Sequence, residues 1–203
     1  MRRKVMQIKT ILKRSFIAGV LISIGGMAFL SVGGGALGSF LFSIGLLCVL
    51  RGKAMLFTGK VPYMESLKDL RVLLLVLCGN LCGTFCMGVV YRLACPSKVA
   101  YAVKIAVNKT SEGWRVIPLA MLCNVMIYIA VEAYKNLTEG SERAYPIIVL
   151  CVMVFILSGF EHCVANAFYF TVAGIASKTV ALYLIWNIVG NAIGGIIARR
   201  IHG

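Results

Sequence analysis

Residues 155–170, FILSGFEHCVANAFYF, place a glycine, a carboxylate and an imidazole in the middle of an apolar run. Gly159, Glu161 and His162 lie far from either end of that hydrophobic segment. A charged side chain at the centre of a membrane span costs about 2.5–3.5 kcal/mol on the insertion scale, so ionisable residues there face a cavity or a polar partner and mark function. A second interruption falls in FSIGLLCVLRGKAMLFTGKVPY at 42–63, where Gly52 and Gly59 bracket Leu56, Phe57 and Thr58. Two broken hydrophobic segments, one in each half of a membrane chain, point to a transport site at the bilayer midplane.

The apolar residues account for the rest of the chain. They make up 60% of the 203 residues, and mean hydropathy is +0.91, where a soluble domain is about half apolar and lacks long apolar runs. A spanning helix needs about 20 mostly apolar residues. Six stretches qualify, at roughly 15–33, 36–57, 70–94, 115–134, 146–174 and 179–198, the second and fifth being broken. The first is long and glycine-rich, with no small-x-small site, and is not expected to be a cleaved signal peptide. The pattern Gly79-Asn80-Leu81-Cys82-Gly83 in the third stretch returns as Gly190-Asn191-Ala192-Ile193-Gly194 in the sixth. Three spans per half is an odd number, so two such repeats, about 15–94 and 115–198, must lie inverted in the membrane. The expected fold is all-α, a single transmembrane domain over 15–203 after a basic arm at 1–14 that lies at the lipid headgroups.

A net charge of +14 raises nucleic acid as a partner, but the bases are spread over several loops rather than along one face. Arg2, Arg3, Lys4, Lys9, Lys13 and Arg14 at one end, with Arg199 and Arg200 at the other, place both termini in the cytoplasm of a multi-pass plasma (inner) membrane protein by the positive-inside rule. The loop at 92–115 disobeys: Arg92, Lys98, Lys104, Lys109 and Arg115 face one acid, Glu112, on the expected outer side. Drawing anions into a vestibule accounts for bases kept there. Of eight cysteines, seven sit within apolar runs and read as packed thiols. Cys78, Cys82 and Cys86 share one helix face, and close helix packing outweighs a soft-metal site because no His or carboxylate joins them. No metal, cofactor or enzymatic constellation is expected. Asn124, inside Leu122-Cys123-Asn124-Val125, is either an interhelical hydrogen bond of about 0.6 kcal/mol or a pore-facing amide.

Taken together, LFTG at 56–59, LCN at 122–124, SGFEHCVAN at 158–166 and GNxxGG at 190–195 resemble the formate/nitrite transporter family, over nearly the whole chain from residue 14. The resemblance implies a homopentamer of aquaporin-like protomers, each with its own pore. It places His162 at the pore centre with Thr58 and Asn124 as hydrogen-bonding neighbours. Leu56 and Phe57, with Leu46 beside them, match one apolar constriction, and Phe155 and Ile127 the other. Lys109 matches a vestibule lysine, with Lys104 as the alternative. Gly52, Gly59, Gly159, Glu161 and Asn166 are expected to support the helix breaks. The chain departs from the family pattern in its short N-terminal arm, in Lys60 after LFTG, where a small polar residue is usual, and in its basic 95–113 loop.

The cargo so implied is a small monovalent anion of a weak acid, such as formate, nitrite or hydrosulfide, carried with protons. An aquaporin-like channel for neutral solutes is the alternative, although Asn-Pro-Ala boxes are missing. A bare anion pays heavily to enter an apolar bottleneck, and neutralisation avoids that cost. Imidazole titrates close to physiological pH and suits such a role. Glu161 is expected to point away from the pore and cap broken backbone, because a fixed negative charge would repel the cargo.

Overall fold

The computed structural model describes residues 7–136 and 142–202. Helix α1 (Ile8–Ser31) is followed by α2 (Gly35–Arg51), the four-residue α3 (Phe57–Lys60), which continues as a 3-10 turn to Tyr63, and α4 (Leu67–Ala94). Then come α5 (Val99–Ser111), α6 (Val116–Asn136), α7 (Tyr145–Leu157), α8 (Cys163–Ala173) and α9 (Lys178–His202). Among the described residues, four helices are long and apolar enough to cross a membrane: α1, α4, α6 with its preceding turn, and α9. The segments α2–α3 and α7–α8 are the two interrupted ones. Serine hydroxyls inside this apolar body turn back on their own helices: Ser15 donates to the Ile11 carbonyl and Ser23 to Gly19, which satisfies these two buried protons.

The repeated GNxxG pattern fixes both breaks in the same way. Asn80 on α4 accepts the Phe57 N–H at Oδ1 (2.8 Å) and donates from Nδ2 to the carbonyls of Ser15 and Met55, each at 2.8 Å. Asn191 on α9 accepts the Cys163 N–H at 2.9 Å and donates to the carbonyls of Ala120 and Glu161, each at 2.8 Å. In each half, one amide joins the first residue of a half-helix, the carbonyl two residues before it, and a carbonyl of the opposing long helix. The flanking glycines let the long helices meet. A Cβ on Gly19 or Gly83 would run into the backbone of Asn80 or Phe16, and one on Gly190 or Gly194 into that of Ile117 or Met121. Backbone that leaves the helix at this depth would otherwise be unsatisfied, at several kcal/mol per group.

Three expectations change. The basic arm is helix from Ile8 onward, so Lys9, Lys13 and Arg14 ride on the opening turns of α1; Arg2, Arg3 and Lys4 lie outside the described residues, as do 137–141 of the polar turn before α7. The loop at 92–115 contains α5, a 13-residue helix that carries Lys104 and Lys109 and packs on α8. The face with Cys78, Cys82 and Cys86 is exposed among the described residues. The glycines one residue further along α4 make the contact with α1 instead, because a residue without a side chain allows the closer approach. Among the described residues, no group of His, Cys, Asp and Glu is arranged to hold a metal.

Candidate functional site

The two breaks are built residue for residue alike. At the end of α2, Lys53 takes the left-handed conformation (φ 51°) and Ala54 N–H donates back to Val49; at the end of α7, Gly159 takes it (φ 70°) and Phe160 N–H donates to Phe155. Three residues on, Leu56 and His162 are the extended N-caps of α3 and α8. Gly52, by contrast, has φ −79°, which any residue adopts, though a Cβ there would stand 2.9 Å from the Cys48 carbonyl oxygen. Gly59 leaves an added Cβ in ordinary contact, 3.6 Å from Val131. Of the glycines expected to support the breaks, Gly159 is the one whose conformation requires it.

These ends aim the two half-helices at each other. His162 Nε2 lies 3.0 Å from Thr58 Oγ1, and both residues are buried. The other ring nitrogen, Nδ1, accepts the Ala165 N–H at 3.1 Å, the N-cap bond of α8. A backbone N–H can only donate, so Nδ1 carries no proton and the neutral ring holds its proton on Nε2, directed at the threonine hydroxyl. The Phe155 ring lies nearly parallel to the imidazole (centroids 6.0 Å, 23°) and meets Phe42 edge-on at 6.2 Å.

A cavity lies on each side of this contact. One, of about 350 Å³, is lined by α5 and the α7–α8 break and includes Tyr101, Lys109, Phe155, Glu161, His162 and Asn166. The other, of about 290 Å³, lies toward the chain termini and includes Arg14, Leu46, Leu56, Gly59, Lys60 and Lys135. No residue lines both. Thr58 lines neither, and stands between Leu56 and Gly59 on one side and His162 on the other.

A family model described as formate/nitrite transporter matches residues 1–200. The chain belongs to the formate/nitrite transporter family. It is 29% identical over 201 residues to the formate channel FocA of Escherichia coli, covering 86% of this chain and 70% of that one. It is 25% identical over 185 residues to the formate-nitrite transporter of Plasmodium falciparum, covering 78% of this chain. The chain spans about 60% of the length of that relative. Among solved structures it superposes on a pentameric formate channel with formate bound at a TM-score of 0.80 and 22% identity, over 96% of this chain and 94% of that one. A second, described as an FNT family ion channel, matches at a TM-score of 0.82 and 22% identity over 93% of this chain and 86% of that one. The fold is that of these channels, and the protein is an integral membrane protein.

Within this family fold the candidate site residues fall into two groups. Leu46 and Leu56 floor the termini-side cavity, Phe155 lines the α5-side one, and Phe57 and Ile127 are buried without lining either. Lys109 lines the α5-side cavity, whereas Lys104 is exposed on α5 and outside it. Asn124 does not hydrogen-bond His162. Its Nδ2 donates to the Asn191 carbonyl at 2.7 Å, and its Oδ1 is buried without a partner. The reason is Gly195, which has no side chain and so lets the amide turn against α9.

Glu161 also departs from expectation. Its side chain caps no backbone; it lines the cavity and receives Lys109 Nζ at 2.6 Å and Asn166 Nδ2 at 2.6 Å. Asn166 Nδ2 is in turn 2.9 Å from Asn187 Oδ1. The lysine neutralises the carboxylate, so the charge that was expected to repel an anion is balanced where it stands. The pairing joins residues 52 apart in sequence, and with five bases in the loop at 92–115 the sequence did not single out Lys109 as the partner of Glu161. Asn187 and the stitching roles of Asn80 and Asn191 were not read from sequence either.

Proposed function

We propose that the protein is a channel for small monovalent anions of weak acids, of the formate and nitrite class, working with a proton at His162 and assembled as a homopentamer in the plasma membrane. Both termini are cytoplasmic, and the α5-side cavity opens outward. The observation that carries this reading is the single imidazole–hydroxyl contact between two otherwise separate cavities. The pentameric, formate-bound neighbour of the same fold supports the assembly and the cargo class.

An anion reaching the contact leaves water for walls of phenylalanine, leucine and isoleucine, at a desolvation cost that transfer of a proton removes. The neutral imidazole holds one proton, on Nε2, and Thr58 is its acceptor, which leaves the hydroxyl proton free to meet an oxygen of the cargo. A second proton on the ring requires Nδ1 to release the Ala165 N–H, so passage of charge is tied to the cap of α8. Lys109, paired with Glu161, sets an ammonium at the mouth and balances that carboxylate beside the path.

In proteoliposomes, wild-type protein is expected to take up formate with a pH-dependent rate, and His162→Ala to lose that dependence. An unchanged pH profile in the variant removes His162 from the mechanism. Osmotic water flux measured on the same vesicles separates this reading from a neutral-solute channel, which would conduct water and be indifferent to the anion.

A further inference from the structure

The termini-side cavity carries a charge pattern that the transport of one monovalent ion leaves unexplained. Arg14, Lys60 and Lys135 line it, and no acidic residue among the described ones does. They come from three separate elements: α1, the end of α3 and the end of α6. The nearest acid described, Glu132, is shared between Tyr63, whose hydroxyl donates to it, and Lys135 at 3.7 Å. Lys135 also sits over the Tyr63 ring at 3.2 Å. Arg14 and Lys60 stand close enough to repel each other, and Lys135 is repelled by both Lys60 and Arg199. Like charges gathered around one concave space destabilise the empty protein, and a counter-ion relieves them. The α5-side cavity shows the contrast, since its one lining lysine has a carboxylate at 2.6 Å.

We propose that this cavity is a binding site for a phosphate-bearing polyanion. A monovalent ion brings a single charge to the cluster, whereas a phosphate or pyrophosphate group brings two or more charges and many acceptor oxygens. Arginine supplies a planar fork that matches phosphate oxygens, and lysines add point charges around it. The floor of the cavity is Leu46, Leu56 and Val131, which offers a multiply charged group no way onward because nothing there replaces its hydration. Bound there, the polyanion closes the pore from the side of the termini. This closure rests on the channel reading above; the binding does not. Two sources present the same chemistry, a soluble phosphate compound and the headgroup of an anionic lipid.

The test uses full-length protein in phosphatidylcholine nanodiscs with pyrophosphate as the probe. Pyrophosphate is expected to raise the thermal midpoint and to bind about tenfold more weakly to Lys60→Gln and to Arg14→Gln, the loss of one charge-assisted hydrogen bond. Lys60→Arg is expected to keep the binding. Replacing part of the lipid by phosphatidylglycerol tells the sources apart: weakened pyrophosphate binding assigns the site to a lipid headgroup, and unchanged binding to a soluble phosphate. Competition by chloride equal to that of pyrophosphate at matched ionic strength, or unaltered binding in both glutamine variants, overturns the proposal. Formate flux without pyrophosphate tests the channel separately, and its block by pyrophosphate on the termini side tests the closure.

Discussion

The first and second halves of the molecule share a scaffold and differ in chemistry. Asn80 and Asn191 make the same three hydrogen bonds, and even the first amides inside the breaks agree: Met55 N–H donates to Arg14, and Glu161 N–H to Leu119, both at 3.2 Å. Yet Leu56 occupies in the first break the place that His162 occupies in the second, and Met55 that of Glu161. At these two positions apolar groups stand where the other half has ionisable ones. The repeat gives both halves the geometry of two opposed half-helices, and the ionisable residues at the break, Glu161 and His162, belong to one of them. Thr58 is the first half's single polar contribution at the contact, and its counterpart in the second half is Val164.

If the scaffold is symmetric, its loss must be too. Asn80→Ala and Asn191→Ala are each expected to cost about 2–4 kcal/mol, since each strands one buried N–H and two carbonyls. Thermal denaturation of the detergent-solubilised protein would show near-equal drops. A large drop in only one variant would mean that the two breaks are not equivalent after all.

The chemistry should be unequal. Thr58→Val leaves the His162 Nε2–H without its acceptor and is expected to slow formate flux about tenfold, the weight of one buried hydrogen bond. Val164→Thr, the matching change in the other half, is expected to leave the pH profile of flux in place. Proteoliposome uptake across a pH series reads both.

The smallest effect has opposite signs in the two halves. Lys53 holds a left-handed conformation that costs a side-chain-bearing residue about 1–2 kcal/mol, so Lys53→Gly is expected to stabilise by up to about 1 kcal/mol. Gly159→Ala is expected to destabilise by a similar amount. Unfolding midpoints of the two variants check the pair, and equal signs would contradict the shared break geometry.

Much of this was legible from residue order. The glycines and polar residues inside 42–63 and 155–170 located both breaks, and GNxxG revealed the duplication. What GNxxG does was not legible, because an asparagine inside an apolar helix shows neither of the two segments it will bridge. α5 was hidden because its apolar residues make a run too short to span a membrane, and its lysines read as part of the basic loop around it. Glu161 was misread for a related reason: its charge was visible, but its partner Lys109 comes to it through the fold. Gly52 and Gly59 drew attention as glycines although neither takes the left-handed conformation, while the residue of the first break that does is a lysine. Local pattern therefore located the breaks, and only long-range pairing revealed how they are held.

The Asn191 bridge also bears on how the chain is made. The entrance of α8 has its Cys163 N–H and Glu161 carbonyl satisfied by a side chain that emerges from the ribosome nearly thirty residues later, whereas the α3 entrance waits for Asn80. During synthesis the first half can close on itself while the second is still being threaded into the bilayer. The histidine-bearing element must then be sheltered, by the insertion machinery or by water, until the last helix arrives. Chains shortened before residue 191 should therefore retain a closed first half and an open, protease-sensitive second one.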